Sequence, residues 1–63
     1  MKFREYDTVR IIRSYNKGIS KGTIGAVIMV FDEPEEAYEV EILDEDGKTK
    51  VQCTFSPNDL ELV

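Results

Sequence analysis

The stretch that decides the fold is GTIGAVIMVF, residues 22–31, in which two glycines three positions apart precede an almost unbroken apolar run. Such a run is typical of a strand that is covered on both faces, or of one that bends and serves two sheets. Glycine relieves crowding where a strand bends or where two backbones approach closely. We therefore expect a positive φ at Gly22 and a bulge or close crossing at Gly25. For both glycines an architectural role is favoured over ligand binding.

Working outward from this long strand, residues 23–32, the sequence predicts four shorter strands. Their residues are rich in β-branched side chains or alternate between apolar and polar with a period of two. The predicted strands are residues 8–13 (TVRIIR), 37–43 (AYEVEIL), 49–55 (TKVQCTF) and 60–63 (LELV).

The segments between these strands contain the residues that turns require. Residues 14–22 form a polar first loop. EPEE, residues 33–36, forms a turn in which Pro34 breaks the strand pattern. DEDGK, residues 44–48, predicts a hairpin turn in which Gly47 supplies the positive φ. SPND, residues 56–59, predicts a single turn of tight helix.

Together these elements predict an all-β fold, a small five-stranded barrel of the SH3-like type with one short helical turn before the last strand. The barrel would form a single domain over residues 1–63. In the third strand the alternation puts the apolar side chains on one face and Glu39 and Glu41 on the other. The residues expected in the core are Val9, Ile11, Ile24, Val27, Val40, Ile42, Val51, Phe55 and Leu60.

Length and composition limit the classes of function. A chain of 63 residues buries only about 60% of its unfolded surface, which leaves little room for a deep substrate cleft. No apolar run approaches the roughly 20 residues that span a bilayer. The N-terminal MKFREYD lacks the apolar region of a signal peptide, and the single cysteine cannot form an internal disulfide. We therefore expect a cytoplasmic protein that has no membrane partner.

The sequence has no histidine, and its acidic residues lie mainly in turns and on an outward strand face rather than in a cleft that would desolvate a catalytic carboxylate, so we expect no enzyme. There is no histidine to activate Cys53, and the alternation with Val51 and Phe55 predicts that this thiol is buried and structural. DEDG, residues 44–47, begins like a calcium loop, but no bidentate glutamate follows at the required position, so the hairpin turn is favoured. We predict no catalytic residue, no metal site and no cofactor.

Charge is distributed unevenly along the chain. Residues 1–31 hold six basic and two acidic side chains (+4), and residues 32–63 hold two basic and eleven acidic ones (−9), which gives a net charge of −5. Nine acidic residues lie between Asp32 and Asp46 with no basic residue among them. A solvated face that keeps a small protein soluble explains this run. A basic partner that neutralises the repulsion between like charges explains it as well.

If the acidic run binds a basic partner, it supplies a specific set of contact residues. Complementary charge would speed association and set specificity, and Tyr38 or Phe31 would anchor the contact as an aromatic residue at the rim. The predicted partner-binding residues are Asp32, Glu33, Glu36, Tyr38, Glu39, Glu41, Asp44 and Glu45.

A smaller basic set frames the first loop and suggests an alternative. Basic and aromatic residues on a barrel loop can hold RNA through phosphate contacts and stacking. A protein with a pI near 4.5 is a poor general binder of nucleic acid, however, so solvation or pairing with acidic side chains is favoured for these charges. The alternative RNA-binding residues are Arg10, Arg13, Tyr15, Lys17 and Lys21.

Several motifs resemble a family of very small bacterial proteins, common in cyanobacteria, that is described only as a domain of unknown function. The motifs are YDTVR (6–10), KGTIGAV (21–27), YEVEILDEDGKT (38–49) and PNDLE (57–61). The chain departs from the family in KVQCTF (50–55), where family members have more leucines. Members are often encoded near predicted small ribonuclease-like toxins, so the resemblance implies an antitoxin or immunity role and supplies no catalytic residue.

The sequence therefore supports three hypotheses and leaves the oligomeric state open. The leading one is a non-catalytic interaction module, an inhibitor of the antitoxin or immunity type that binds a basic nuclease through its acidic face. The second is an RNA- or ribosome-associated barrel that uses the basic first loop. It is suggested by the similarity of K-G-x-x-G-x-V, residues 21–27, to the KOW motif of ribosomal and transcription-elongation proteins. The third is an inhibitor that imitates a polyanion and so blocks a nucleic-acid-binding protein.

Overall fold

A computed structural model describes residues 1–14, 18–43 and 46–63. Five antiparallel strands form one sheet in the order β4-β3-β2-β1-β5. The strands are β1 (Thr8–Ile11), β2 (Ile24–Phe31), β3 (Ala37–Leu43), β4 (Thr49–Phe55) and β5 (Leu60–Leu62), with a 3₁₀ turn at Pro57–Asp59. The predicted all-β fold, its five strands and the helical turn before the last strand are confirmed. Closure into a barrel of the SH3-like type stays a prediction. No helix in the described part of the chain is long and apolar enough to cross a membrane.

The long strand β2 links the two halves of the sheet. Its first residues pair with β1, and most of its length pairs with β3. The register with β3 shifts between Val27 and Met29, which marks an irregularity of the β-bulge kind beyond Gly25. Gly25 itself lies at a close crossing, because a Cβ atom there would lie 2.7 Å from Cγ1 of Val40 and 2.9 Å from the carbonyl oxygen of Glu41.

The two glycines that were expected to have positive φ both do. Gly22 has φ 95° and Gly47 has φ 80°. In each case a Cβ atom would meet nothing within 4 Å, so it is the backbone conformation and not the available space that favours glycine. Gly22 ends the first loop as predicted, and its N–H donates to the carbonyl oxygen of Ile11 at 2.6 Å.

The core lies on one face of the sheet and contains seven of the nine predicted side chains. Val51 and the Cys53 thiol are only half-buried against it, since they lie on β4 at one end of the sheet. Ile24 was predicted wrongly: it is 44% exposed, because Gly25 and Val27 point inward and Ile24 points to the other side. The buried residues are Phe3, Val9, Ile11, Ile19, Val27, Tyr38, Val40, Ile42, Phe55 and Leu60.

The 3₁₀ turn ties the end of β4 to the chain that follows β1. The Ser56 hydroxyl donates to Oδ2 of Asp59 at 3.0 Å, and the Asp59 N–H donates to the carbonyl oxygen of Ser56 at the same distance. The carbonyl oxygen of Asp59 accepts the N–H of Ile12 at 2.8 Å. The turn therefore fixes β5 beside β1.

Candidate protein-interaction surface

The side of the sheet opposite the core is built mainly by β2 and β3. Tyr38, Val40 and Ile42 point into the core, so the alternating residues of β3 point away from it. Directly paired residues of antiparallel strands share a face. We call this surface the outer face. It comprises Ile24, Ala26, Met29 and Phe31 of β2, Ala37, Glu39, Glu41 and Leu43 of β3, Gln52 and Thr54 of β4, and at its β1 side Thr8 and Arg10, which are opposite Ala26 and Ile24.

Large apolar side chains are exposed on the outer face. Ile24 is 44%, Met29 50%, Phe31 36% and Leu43 50% exposed. A single exposed apolar residue is ordinary on a protein surface, but a patch rimmed by polar groups is typical of an interaction site. Four such residues on two adjacent strands form a patch of this kind.

Two carboxylates lie among these apolar side chains. Glu39 is opposite Met29 and Thr54, and its Oε2 accepts the Thr54 hydroxyl at 2.9 Å. Glu41 is opposite Ala26 and Gln52. Among the side chains that the structure describes in residues 1–14, 18–43, 46–48 and 51–63, no basic group forms an ion pair with either carboxylate. Their negative charge is therefore available to a cation from outside this part of the molecule.

Two shallow grooves lie at the ends of the outer face. The first, the Ile24 groove, has a volume of about 310 Å³ and is lined by Thr8, Ile24, Gly25, Ala26, Glu41 and Leu43. The second, the Phe31 groove, has a volume of about 400 Å³ and is lined by Phe31, Glu33, Pro34, Glu35, Ala37 and Thr54. Each groove has an apolar floor and at least one carboxylate on its wall.

Tyr38 cannot be the aromatic anchor at the rim, and that part of the prediction is wrong. Its side chain is fully buried, and its ring packs edge-to-face on Phe3 with 5.1 Å between the centroids. The hydroxyl oxygen accepts the N–H groups of Lys2 at 3.0 Å and Phe3 at 3.1 Å, and the hydroxyl donates to Glu36. Tyr38 therefore holds the N-terminal segment on the core and is inaccessible to a partner.

Glu36 is engaged within the molecule, by Tyr38 and by the N-terminal segment. Its Oε2 accepts the Tyr38 hydroxyl and, at 3.1 Å, the N–H of Lys2. These two hydrogen bonds, the Tyr38 bond first, lower the pKa of Glu36 below its ordinary value of 4.5. Burial, followed by the bond to Glu36, raises the pKa of Tyr38 above 10.0.

This arrangement predicts that Glu36 contributes to stability at neutral pH and loses that contribution in acid. A carboxyl whose pKa is lowered by folding stabilises the folded chain above its unfolded pKa, near 4.5, and ceases to do so as the pH falls through the lower folded value. Urea titrations from about pH 6 down to about pH 3 measure the free energy of unfolding of wild type and of Glu36→Gln. The wild-type value should be the larger one near pH 6, and the difference should shrink as the pH falls. Glu35→Gln removes a nearby exposed carboxylate and controls for net charge. A wild-type advantage that is independent of pH would contradict the assigned role.

The remaining acidic residues of the prediction divide into two groups. Asp32 and Glu33 are exposed, and Glu33 lines the Phe31 groove. Asp44 and Glu45 lie outside the described residues. Of the predicted residues, Glu39 and Glu41 therefore lie on the outer face, and Glu33 lines a groove at its end.

The basic residues of the alternative RNA site are placed as follows. Arg10 donates to Oε1 of Glu61 in an ion pair of 2.9 Å, so its charge is partly neutralised. Arg13 and Lys21 are exposed at the two ends of the first loop. Tyr15 and Lys17 lie outside the described residues. In the described part of the chain, no group of three or more His, Cys, Asp or Glu side chains is placed to hold a metal ion.

Sequence reasoning missed the apolar half of the outer face. Phe31 was predicted as an anchor, but Ile24 was assigned to the core, and Met29 and Leu43 were not singled out. The signal that could have found them is the unbroken apolar run of β2. Successive side chains of a strand point to opposite faces, so half of such a run is exposed unless a second layer covers it.

Comparison with known proteins agrees with the resemblance that the motifs suggested. No curated protein and no solved structure is significantly similar to the chain. One family model matches, and it covers residues 5–62, which is nearly the whole chain. The chain therefore belongs to the family described as a domain of unknown function, DUF4926.

Proposed function

We propose that this protein is a non-catalytic interaction module that binds a basic protein partner through its outer face. The observation that carries the proposal is the mixture of exposed apolar side chains with two carboxylates on adjacent strands. Met29 lies directly opposite Glu39, and the Ile24 groove includes Glu41. A surface of this composition suits a partner that presents apolar and basic side chains together.

The two kinds of side chain would contribute differently to binding. Exposed carboxylates steer a basic partner toward the face and speed encounter, over a distance of roughly 8–10 Å at physiological salt. Met29, Phe31 and Leu43 are already half-exposed, so covering them removes apolar surface from water and slows dissociation. Charge would thus set the association rate, and apolar contact would set the lifetime of the complex.

The class of partner that we propose is a nuclease, and the activity is its inhibition in the manner of an antitoxin or immunity protein. A nuclease active site is built to hold phosphates and therefore presents basic side chains. The run of carboxylates on and beside the outer face supports this choice, as does the antitoxin or immunity role that the motif resemblance implies. RNA binding through the first loop has less support, because Arg10 is paired with Glu61.

The test is a pull-down from the source organism's lysate with the immobilised chain, followed by binding kinetics with the captured partner at two ionic strengths. Glu39→Gln/Glu41→Gln should leave the fold intact, because both residues face away from the core and are partly exposed, and substitutions at such positions change stability little. It should slow association by about tenfold, and the wild-type rate should fall more steeply with salt than the rate of the variant.

Arg13→Gln/Lys21→Gln is the matched control, since it also changes two exposed charges. It should leave association with the partner nearly unchanged. The proposal is wrong if the chain instead retains RNA, and if this retention is lost in Arg13→Gln/Lys21→Gln but kept in Glu39→Gln/Glu41→Gln. A captured protein whose association rate is the same for wild type and both variants would also contradict it.

A further inference from the structure

We propose that the Phe31 groove is a binding site for an arginine side chain of the partner. This inference rests on the proposed function and deepens it, since it names the chemical group that the groove recognises. The groove lies at the end of the outer face where β2 runs into the turn that leads to β3. Its lining combines two features that suit an arginine side chain, apolar residues that include an aromatic ring and two acidic residues.

The floor of the groove is formed by Phe31, Pro34 and Ala37. Phe31 pairs directly with Ala37 across the strands, so the two side chains share the outer face. The Phe31 ring is 36% exposed and is not among the buried residues of the core. An exposed ring of this kind can cover the methylene stem of a long basic side chain or stack on its charged group.

Two carboxylates, those of Glu33 and Glu35, line the same groove. Both residues are exposed, and no basic side chain described in residues 1–14, 18–43, 46–48 and 51–63 forms an ion pair with them. The groove therefore carries negative charge beside an aromatic ring. Its volume of about 400 Å³ is within the range of sites that hold small ligands, so it admits one extended side chain.

Arginine fits this chemistry better than lysine does. The guanidinium group is planar and weakly hydrated, so it can stack on an aromatic ring while its N–H groups face carboxylates. It also forms paired hydrogen bonds with a carboxylate, which the ammonium group of lysine cannot do. Thr54 lines the groove as well, and its hydroxyl donates to Glu39. An arginine in the groove would thus lie next to the carboxylates in the middle of the outer face.

The test is a titration of the ¹⁵N-labelled full chain with N-acetyl-arginine methylamide, followed in amide spectra at constant ionic strength. N-acetyl-lysine methylamide is the matched probe. The arginine probe should shift the amides of Phe31, Glu33, Glu35 and Ala37 in a saturable manner. The lysine probe should bind about threefold more weakly, as expected from the loss of stacking at an exposed ring.

Two variants locate the site. Phe31→Leu keeps the apolar bulk and should remove the preference for arginine, whereas Glu33→Gln/Glu35→Gln should weaken both probes. Glu5→Gln/Glu61→Gln also removes two exposed carboxylates, but from outside the groove and away from Glu39 and Glu41, and should leave the binding of the arginine probe unchanged. The groove residues are exposed or partly exposed, so we expect these variants to fold. If one of them did not, its amide spectrum would collapse, and the probe titrations of the other variant would then test the site.

Three results would overturn the inference: shifts that do not saturate, equal binding of the two probes, or shifts confined to residues outside the groove. These results differ from a failure of the proposed function, in which Glu39→Gln/Glu41→Gln leaves partner association unaffected. An arginine-specific shift that Phe31→Leu abolishes would support the inference directly.

Discussion

Replacing Tyr38 with alanine is expected to leave most of the protein molecules unfolded at room temperature. The ring is fully buried and packs edge-to-face on Phe3. Truncation of a buried aromatic side chain costs about 3–5 kcal/mol, because its burial is lost and a cavity remains. A single core in a chain this small supplies only about 3–5 kcal/mol of stability in total. Urea titration followed by circular dichroism measures the change.

Tyr38→Phe is the matched variant, because it keeps the ring and removes only the hydroxyl. That hydroxyl oxygen accepts two backbone N–H groups, and the N–H of Phe3 is buried. Leaving a buried donor without its partner costs about 1–3 kcal/mol, so Tyr38→Phe should be weakened but folded. If Tyr38→Ala proved as stable as Tyr38→Phe, the ring would not be part of the core, and the assigned packing would be wrong.

Gly25→Ala is expected to have the second-largest effect, a loss of about 3 kcal/mol. The added methyl group would lie 2.7 Å from Cγ1 of Val40 and 2.9 Å from the carbonyl oxygen of Glu41. The side chain of Val40 is buried, and the oxygen belongs to the backbone of β3, so neither can move without displacing the strand. The pairing of β2 with β3 would therefore be strained where the two strands cross.

Gly22→Ala is the comparison that separates the cost of steric crowding from the cost of an unfavourable backbone conformation. At Gly22 a methyl group would meet no atom within 4 Å, but the φ of 95° is unfavourable for alanine. We expect a loss of about 1 kcal/mol there, clearly smaller than at Gly25. Equal losses in the two variants, measured by urea titration, would show that the approach at Gly25 is less close than described.

The strands could be predicted from the sequence because their signals are local. AYEVEIL, residues 37–43, alternates with a period of two, and this settles which side of β3 is buried. Gly47 has a positive φ, a turn conformation that only a few residue types favour. The apolar run of β2 has no such alternation. Which of its side chains face the core depends on pairing with β1 and β3, and Ile24 was misplaced for that reason.

The candidate surface was only partly predictable, because charge along the chain does not show which charges are already engaged. The alternation of β3 identified Glu39 and Glu41 correctly as outward-facing residues. It places Tyr38 on the buried side but could not reveal that the N-terminal segment covers this residue, or that Glu36 binds that segment. Those contacts join residues 34 to 36 positions apart, and Phe3 lies in a segment with no periodic pattern that would predict its burial.

The central claim is that the outer face is the binding surface, and mapping the partner on the labelled chain tests it most directly. The protein captured in the pull-down is added to the ¹⁵N-labelled chain, and amide shifts and hydrogen exchange are compared with and without it. We predict that the changes concentrate on Met29, Phe31, Glu39 and Glu41, with little change at Arg13 and Lys21. Changes confined to the two ends of the first loop, with an unaltered outer face, would contradict the claim.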